Sequence, residues 1–220
     1  DGKALVSRNG LVPPAARDPR IAAPRNLKKI VFTSSADRGL LRALKIFARV
    51  KAIHPEAEFH SFYGFTPLYL KKAADQDYQF FGDQLCERHM NDYMEECFDL
   101  STKTGAVMHG RIGSDELAGH LATASIWLYP TRFPEISCIS AMEAQAAGCL
   151  PVCTDFGALK ETVDYGIRVP FDASDDAYIM AIDSIFKRGA SYDDYRKECA
   201  TWAREQFDIT TLAKSWLTRF

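Results

Sequence analysis

The chain has 220 residues, 47% hydrophobic and 25% charged, an ordinary globular composition with length enough for a real core. Its formal net charge is −2 and it holds no block of Lys or Arg, so electrostatics gives no support to DNA or RNA binding. No apolar run approaches the roughly 20 residues that span a bilayer, and the first residues do not read as a signal peptide.

Six cysteines (Cys86, Cys97, Cys138, Cys149, Cys153, Cys199) lie scattered without a CxxC pair, which favours buried free thiols in a reducing cytosol over disulfides or zinc. The chain opens at Asp1 without methionine, and Ala4–Ser7 already has the pattern of a strand end, so a piece of something longer is expected. Arg8-Asn9-Gly10 is a turn signal. Val12–Arg25, rich in Pro, Ala and Arg without periodicity, is expected to be a linker or an arm on another domain.

Lys29–Thr33 (KIVFT) is the first buried strand, and Ser34-Ser35-Ala36-Asp37 supplies capping residues for a helix over Arg38–Ile53. Leu40, Leu44, Phe47 and Val50 fall on one face of that helix, and Pro55 stops it. Glu58–Tyr63 is the second strand. The stretch Thr66–Thr104 is less regular, with one helix predicted over Leu85–Phe98. Gly105–His109 is the third strand, followed by the loop Gly110-Arg111-Ile112-Gly113 and a helix over Asp115–Ala122 capped by Ser114.

The stretch Tyr129–Gly148 (YPTRFPEISCISAMEAQAAG) follows the apolar strand Ala124–Tyr129. Two prolines keep Pro130–Pro134 irregular, and a helix is predicted from about Ser137 to Ala147 with Gly148 as its C-cap. Glu135 and Glu143 bracket its first turns. Eight helical positions advance about 800° with a rise of about 12 Å, so both carboxylates can face one cleft at different depths. Leu150–Thr154 is the next strand, which makes the unit a right-handed parallel crossover. A turn at Asp155–Gly157, a short helix over Ala158–Val163 and a last strand over Tyr165–Val169 follow. From Asp175 the pattern is helical throughout, over Asp175–Lys187, Asp193–Gln206 and Thr210–Arg219.

Alternating strands and helices predict an α/β fold, a Rossmann-like parallel sheet with helices on both faces plus a C-terminal helical tail. Residues 1–27 are expected to form a strand end and linker or arm, 28–172 the Rossmann-like domain, and 173–220 helices packing on it. In such sheets ligands bind outside the carboxyl ends of the strands, where Glu135 falls.

Several segments in register carry a family resemblance. The Glu135–Glu143 spacing, with the small-residue run Ala144–Gly148, resembles the Glu-(seven residues)-Glu signature of retaining glycosyltransferases of family 4 (group 1). Arg8-Asn9-Gly10 looks like the segment that opens that family's second domain. Ser34–Gly39 (SSADRG) sits at its phosphate-binding turn, Gly110–Leu117 (GRIGSDEL) at its G-x-v loop, and Thr154–Thr162 (TDFGALKET) at its T-x-x-G turn. The resemblance implies the GT-B fold, two Rossmann-like domains around a cleft, of which this chain resembles the C-terminal, donor-binding one.

It also implies roles. Glu143 would accept hydrogen bonds from the ribose hydroxyls, a task suited to an acceptor-only carboxylate; in isolation it would read as a solvated helix glutamate. Glu135 would contact the donor sugar, with a helix-dipole partner as the plainer alternative. The amides near Ile136, Ser137 and Cys138 would meet the diphosphate, although Ser137-Cys138 stand where glycines are frequent. Arg38, with Ser34 and Ser35, would neutralise the diphosphate and stabilise the departing nucleotide, and a surface helix arginine is the alternative. The family's second cation is missing, so Arg38 serves alone or Arg132 or Arg111 substitutes. Gly110, Arg111 and Ile112 would read the base.

The expected activity is transfer of a sugar from a nucleoside diphosphate sugar to a hydroxyl of a glycan, lipid-linked or protein acceptor, with retention. No metal or cofactor is expected; the location expected is cytoplasmic, with peripheral attachment to a membrane through the missing domain as the alternative. The isolated domain would act poorly without its N-terminal acceptor domain. A nucleotide-sugar epimerase of the same architecture and a non-catalytic nucleotide-binding domain are the rival expectations. The five histidines (His54, His60, His89, His109, His120) have no metal-ligand spacing; His109 either lines the site or sits satisfied in the core.

Overall fold

The structure, a computed structural model, describes residues 9–11, 24–65 and 90–218. The strand expected at Ala4–Ser7, most of the Val12–Arg25 arm, Cys86 and His89 lie outside the described residues.

Six strands, β1 (Asn26–Phe32), β2 (Glu58–Ser61), β3 (Val107–Met108), β4 (Ala124–Tyr129), β5 (Leu150–Asp155) and β6 (Ile167–Pro170), form one sheet among the described residues. Their order is β3-β2-β1-β4-β5-β6 and every neighbouring pair is parallel. The winding reverses between β1 and β4, so the crevice beyond the carboxyl ends of those two strands is the natural ligand site.

The helices in chain order are α1 (Leu40–Ile53), α2 (Met90–Thr104), α3 (Ser114–Thr123), α4 (Ile139–Ala146), α5 (Leu159–Thr162), α6 (Asp175–Arg188), α7 (Asp193–Gln206) and α8 (Ile209–Leu217). On one side of the sheet α1 packs against α2 and α6; on the other α4 packs against α3 and α7. The sheet is therefore a middle layer, and its central strand is apolar on both faces. All six residues of β4 are buried, Trp127 and Tyr129 completely. Ser125, the polar member, is held at its carbonyl (2.6 Å) and hydroxyl (2.8 Å) by the buried Arg196 guanidinium of α7. Burial lowers the pKa of that guanidinium to about 10, with Arg25 beside it acting in the same direction.

The apolar stripe of α1 is as expected, with Leu40, Leu44, Phe47 and Val50 all buried. Its start is not. Ala36–Arg38 is a separate 3-10 turn, and Gly39 follows at φ 106°, so α1 begins only at Leu40. A hydrogen bond from Ser35 Oγ to the Asp37 carboxylate holds the turn. Gly39 is required twice over: its φ is left-handed, and a Cβ there would lie 3.1 Å from the Pro130 carbonyl. Likewise α4 begins at Ile139 rather than Ser137, because Cys138 (φ −103°, ψ 89°) is not helical. The helix expected over Leu85–Phe98 runs six residues further, to Thr104. Cys97, Cys138, Cys149, Cys153 and Cys199 are buried free thiols, as their scatter implied. No helix among the described residues is long and apolar enough to cross a membrane.

Candidate functional site

The site is built where the loops after β1 and β4 meet. Trp127 of β4 donates its indole N–H to Thr33 Oγ1 (2.8 Å), and Ser140 of α4 donates to the Thr33 carbonyl (3.0 Å). These bonds lock the end of β1 to the first turn of α4. Ser34 Oγ and Tyr129 Oη lie 3.3 Å apart, and Tyr129 Oη donates to Glu135 Oε1 at 2.5 Å. Burial, together with Cys138 and Glu135 nearby, raises the Tyr129 pKa well above its usual value. The phenol therefore stays protonated and holds the Glu135 carboxylate in place.

The backbone of Glu135 is fixed from the other side. Ala158 N–H donates to the Glu135 carbonyl (2.9 Å), which anchors the loop to the turn after β5. Gly157 makes that approach possible: its φ is 56°, and a Cβ would lie 3.0 and 3.1 Å from the Glu135 oxygen and nitrogen. Beside it Ile136 is 95% exposed, an apolar side chain at the mouth of the cleft.

Glu143 sits one turn inside α4 and is half-buried. Loss of solvent raises its pKa, and no hydrogen bond or ion pair reaches its carboxylate among the described residues. A desolvated carboxylate without donors is costly unless something supplies them. Cys138 lies between the two carboxylates: burial first, then Glu135 and, more weakly, Glu143 push its thiol up to about 12. Both Glu135 and Glu143 therefore act on Cys138, although only Glu143 is on the helix, so the helical spacing expected between them does not apply. The first helical amides of α4 belong to Ile139 and Ser140, whereas Ile136, Ser137 and Cys138 form the irregular lead-in.

Arg38 packs on the loop after β4. Its guanidinium stacks 3.1 Å from the centroid of Phe133, and its Nε lies 3.9 Å from Asp37. Its Nη1 is buried and has no hydrogen-bond partner among the described residues. An orphaned donor of this kind is the counterpart of the partnerless Glu143. The two other cations weighed beside Arg38 lean elsewhere: Arg111 over Tyr63 (5.6 Å to the centroid) and Arg132 over Phe171 (5.3 Å).

The loops after β2 and β3 complete the rim. Tyr63 N–H donates to the Gly110 carbonyl (2.7 Å), and Ser35 bridges Gly64. Tyr63 itself has a φ of 77°, a conformation uncommon for a side chain of its bulk. Gly110 and Ile112 are partly buried and Arg111 is exposed, so this loop offers mainly backbone to the cleft.

Some contributors were not legible in sequence. Asn9 Nδ2 donates to Ser137 Oγ (3.0 Å), which brings residues 9–11 to the head of α4. The same segment is tied to the start of α8 through Leu11, whose N–H donates to Phe207 O and whose carbonyl accepts from Ile209. Arg42 bonds Asp175, the Ala173 carbonyl and the Pro130 carbonyl, so it clamps the β4 loop to the start of α6. Tyr129 looked like one more apolar strand residue. Finally, the lack of metal-ligand spacing among the histidines concealed a cluster: His60, His109 and His120 each bring a ring nitrogen within 4.8 Å of the others.

A model of the family described as glycosyl transferases group 1 matches residues 28–188. Solved structures of similar fold include a UDP-forming alpha,alpha-trehalose-phosphate synthase from Burkholderia xenovorans, 12% identical with a TM-score of 0.68 over 96% of this chain and 50% of that one. A glycosyltransferase from Rickettsia africae is 18% identical, with a TM-score of 0.67 over 93% of this chain and 52% of that one. The sucrose-phosphate synthase of Thermosynechococcus elongatus, also 18% identical, has a TM-score of 0.66 over 91% and 47% respectively. No curated protein matches the chain. It spans about half the length of each of these three structures.

Proposed function

Because the chain belongs to the group 1 glycosyl transferases, we propose that it carries the donor side of a sugar transfer from a nucleoside diphosphate sugar to an acceptor hydroxyl, with retention at the anomeric carbon. Its sheet and helices form the Rossmann-like C-terminal half of a GT-B fold. A second domain, holding a glycan, lipid-linked or protein acceptor, would close the other side of the cleft.

One observation carries this reading: the Glu143 carboxylate, one turn inside the helix that follows β4 at the reversal of winding, is desolvated and without a partner among the described residues. Two adjacent ribose hydroxyls are donors of the right kind for it. In the same reading the diphosphate lies between the first amides of α4 and Arg38, whose buried Nη1 gains the acceptor it lacks. Ser34 and Ser35 accompany Arg38, and Gly110, Arg111 and Ile112 receive the base.

Glu135, held by Tyr129, contacts the sugar. The bond from the anomeric carbon to the phosphate oxygen breaks while the acceptor oxygen bonds to the same face. The acceptor proton passes to the departing phosphate, whose charge Arg38 and the α4 dipole stabilise. Closure of the second domain would exclude water and position the acceptor.

The test is calorimetry of the chain with UDP, GDP, ADP and CMP, with Glu143→Ala and Arg38→Ala as controls. UDP is the first probe, since the Burkholderia synthase is described as UDP-forming. Selective binding of one diphosphate, weakened in both variants, supports the assignment. Binding that survives both substitutions sinks it. So does a lack of binding by this chain and by a longer chain that carries the second domain.

A further inference from the structure

Away from the sugar chemistry, one group of side chains has the makings of a separate site. His60 lies on β2, His109 directly follows β3 and His120 belongs to α3. They come from three elements, yet their rings pack together. His60 and His109 stack at 5.2 Å with 15° between planes, and His109 and His120 lie 4.8 Å apart at 60°. Phe62 forms an apolar wall against His109 (4.6 Å) and His120 (4.7 Å).

We propose that His60, His109 and His120 form a binding site for a divalent first-row metal ion, zinc by the chemistry of its ligands. Three neutral imidazoles with an open fourth position are a zinc donor set. Zinc–nitrogen bonds of about 2.0–2.1 Å place tetrahedral ligand atoms about 3.3 Å apart. Here the three nitrogens lie within 4.8 Å of one another, so side-chain rotation is enough to close the set.

The pair already in contact shows how. His60 Nδ1 and His109 Nε2 are 2.9 Å apart, and His60 Nε2 is 3.4 Å from Glu58 Oε2. A carboxylate on the far nitrogen of a ligating histidine fixes its tautomer and orientation, a usual second layer of metal sites. With the His60 proton on Nε2 facing Glu58, Nδ1 presents its lone pair. His109 presents Nε2 once its proton moves to Nδ1, a change of tautomer without a change of charge. All three rings are half-buried, which leaves a route for the ion.

The charged groups that face the cluster are Glu58, Glu116 and Lys29. Lys29 opposes a cation, because its Nζ lies 3.2 Å from His120 Nδ1. It also lies 3.2 Å from Thr123 Oγ1, which keeps a contact for it when the ion arrives.

The ion would cross-link β2, the end of β3 and α3, directly before the Gly110 loop. To test this, the full 220-residue chain is stripped with chelator and titrated with zinc against a competing indicator. Cobalt supplies a visible spectrum that reports coordination number. One ion bound with a Kd of about 1 μM or below is expected, with a four-coordinate cobalt spectrum. Affinity should fall at least about 10-fold in each of His60→Ala, His109→Ala and His120→Ala.

X-ray absorption on the zinc-loaded unmutated chain keeps the test independent of whether the variants fold. Three imidazoles in its shell support the site. Sulfur ligation, fewer than three imidazoles, full affinity in the variants, or no binding at 100 μM zinc overturns it.

Discussion

Replacement of Glu143 by glutamine separates what the carboxylate does for binding from what it costs the empty protein. The side chains are nearly isosteric, so no cavity opens and packing around α4 is unchanged. What changes is the charge. In the free protein Glu143 is desolvated and unpartnered among the described residues, and burial raises its pKa above the unfolded value. The folded state therefore binds its proton more tightly than the unfolded chain does. Stability from this group is fully present below the unfolded carboxylate pKa and is lost as pH rises through the folded one. The glutamine variant lacks that loss. At pH 7 it should melt at a higher temperature than the parent, and below about pH 4, under the unfolded carboxylate pKa, the difference should vanish.

Nucleotide affinity should move the opposite way. A hydrogen bond to a charged acceptor contributes about 1.5–3 kcal/mol, which is roughly 10–150-fold in Kd for one such bond lost. Melting curves at the two pH values and calorimetry with the diphosphate that binds give both numbers from one preparation. A variant that is less stable at pH 7 would show that Glu143 already has a stabilising partner. Unchanged affinity would remove it from the nucleotide site. Either result refutes the argument.

Tyr129→Phe removes the donor to Glu135 Oε1 but no packing volume; it should leave diphosphate affinity unchanged while transfer by the two-domain protein drops, measured as kcat against KM. Gly157→Ala forces a left-handed residue and sets a Cβ 3.0 Å from the Glu135 carbonyl, so a stability loss of at least about 1–2 kcal/mol is expected in denaturant melts. Burial pushes the thiols of Cys149 to about 11 and of Cys138 and Cys199 to about 12. At pH 8 no more than one of the six cysteines, Cys86, should react with a thiol reagent before denaturation; rapid labelling of any of the five buried ones contradicts the packing.

The strands were readable because both faces of the sheet are covered, which makes β4 and β5 mainly apolar, with Ser125 in β4 and Thr154 and Asp155 closing β5 as the polar members. Glu143 falls on the predicted helix, whereas Glu135 stands four residues before its observed start, so helical spacing does not relate the two carboxylates. What escaped was set by contacts between distant segments. The start of α1 is set by Gly39 against Pro130 and that of α4 by the non-helical backbone of Cys138, and neither has a periodic signal. Tyr129 is apolar in pattern but owes its role to a hydroxyl at the strand's last position. Arg42 has no local signal for its role, and only the fold brings Asp175 and Pro130 to it. The histidine cluster draws one member from each of three elements, an arrangement that no spacing rule detects.

The strand order has a consequence for how the chain acquires its crevice. Its two walls belong to β1 and β4, which pair Ile30 with Ile126 and Val31 with Trp127 across nearly half the chain. That long loop must close before the pairing is rewarded, and sheets dominated by such distant contacts fold slowly. The crevice therefore forms with the central pair of strands, late and together with the core. A fragment ending before β4 would keep Arg38 and the serines beside it yet have no wall to face them, so trimming the domain from its C-terminal side should abolish binding before it abolishes helix.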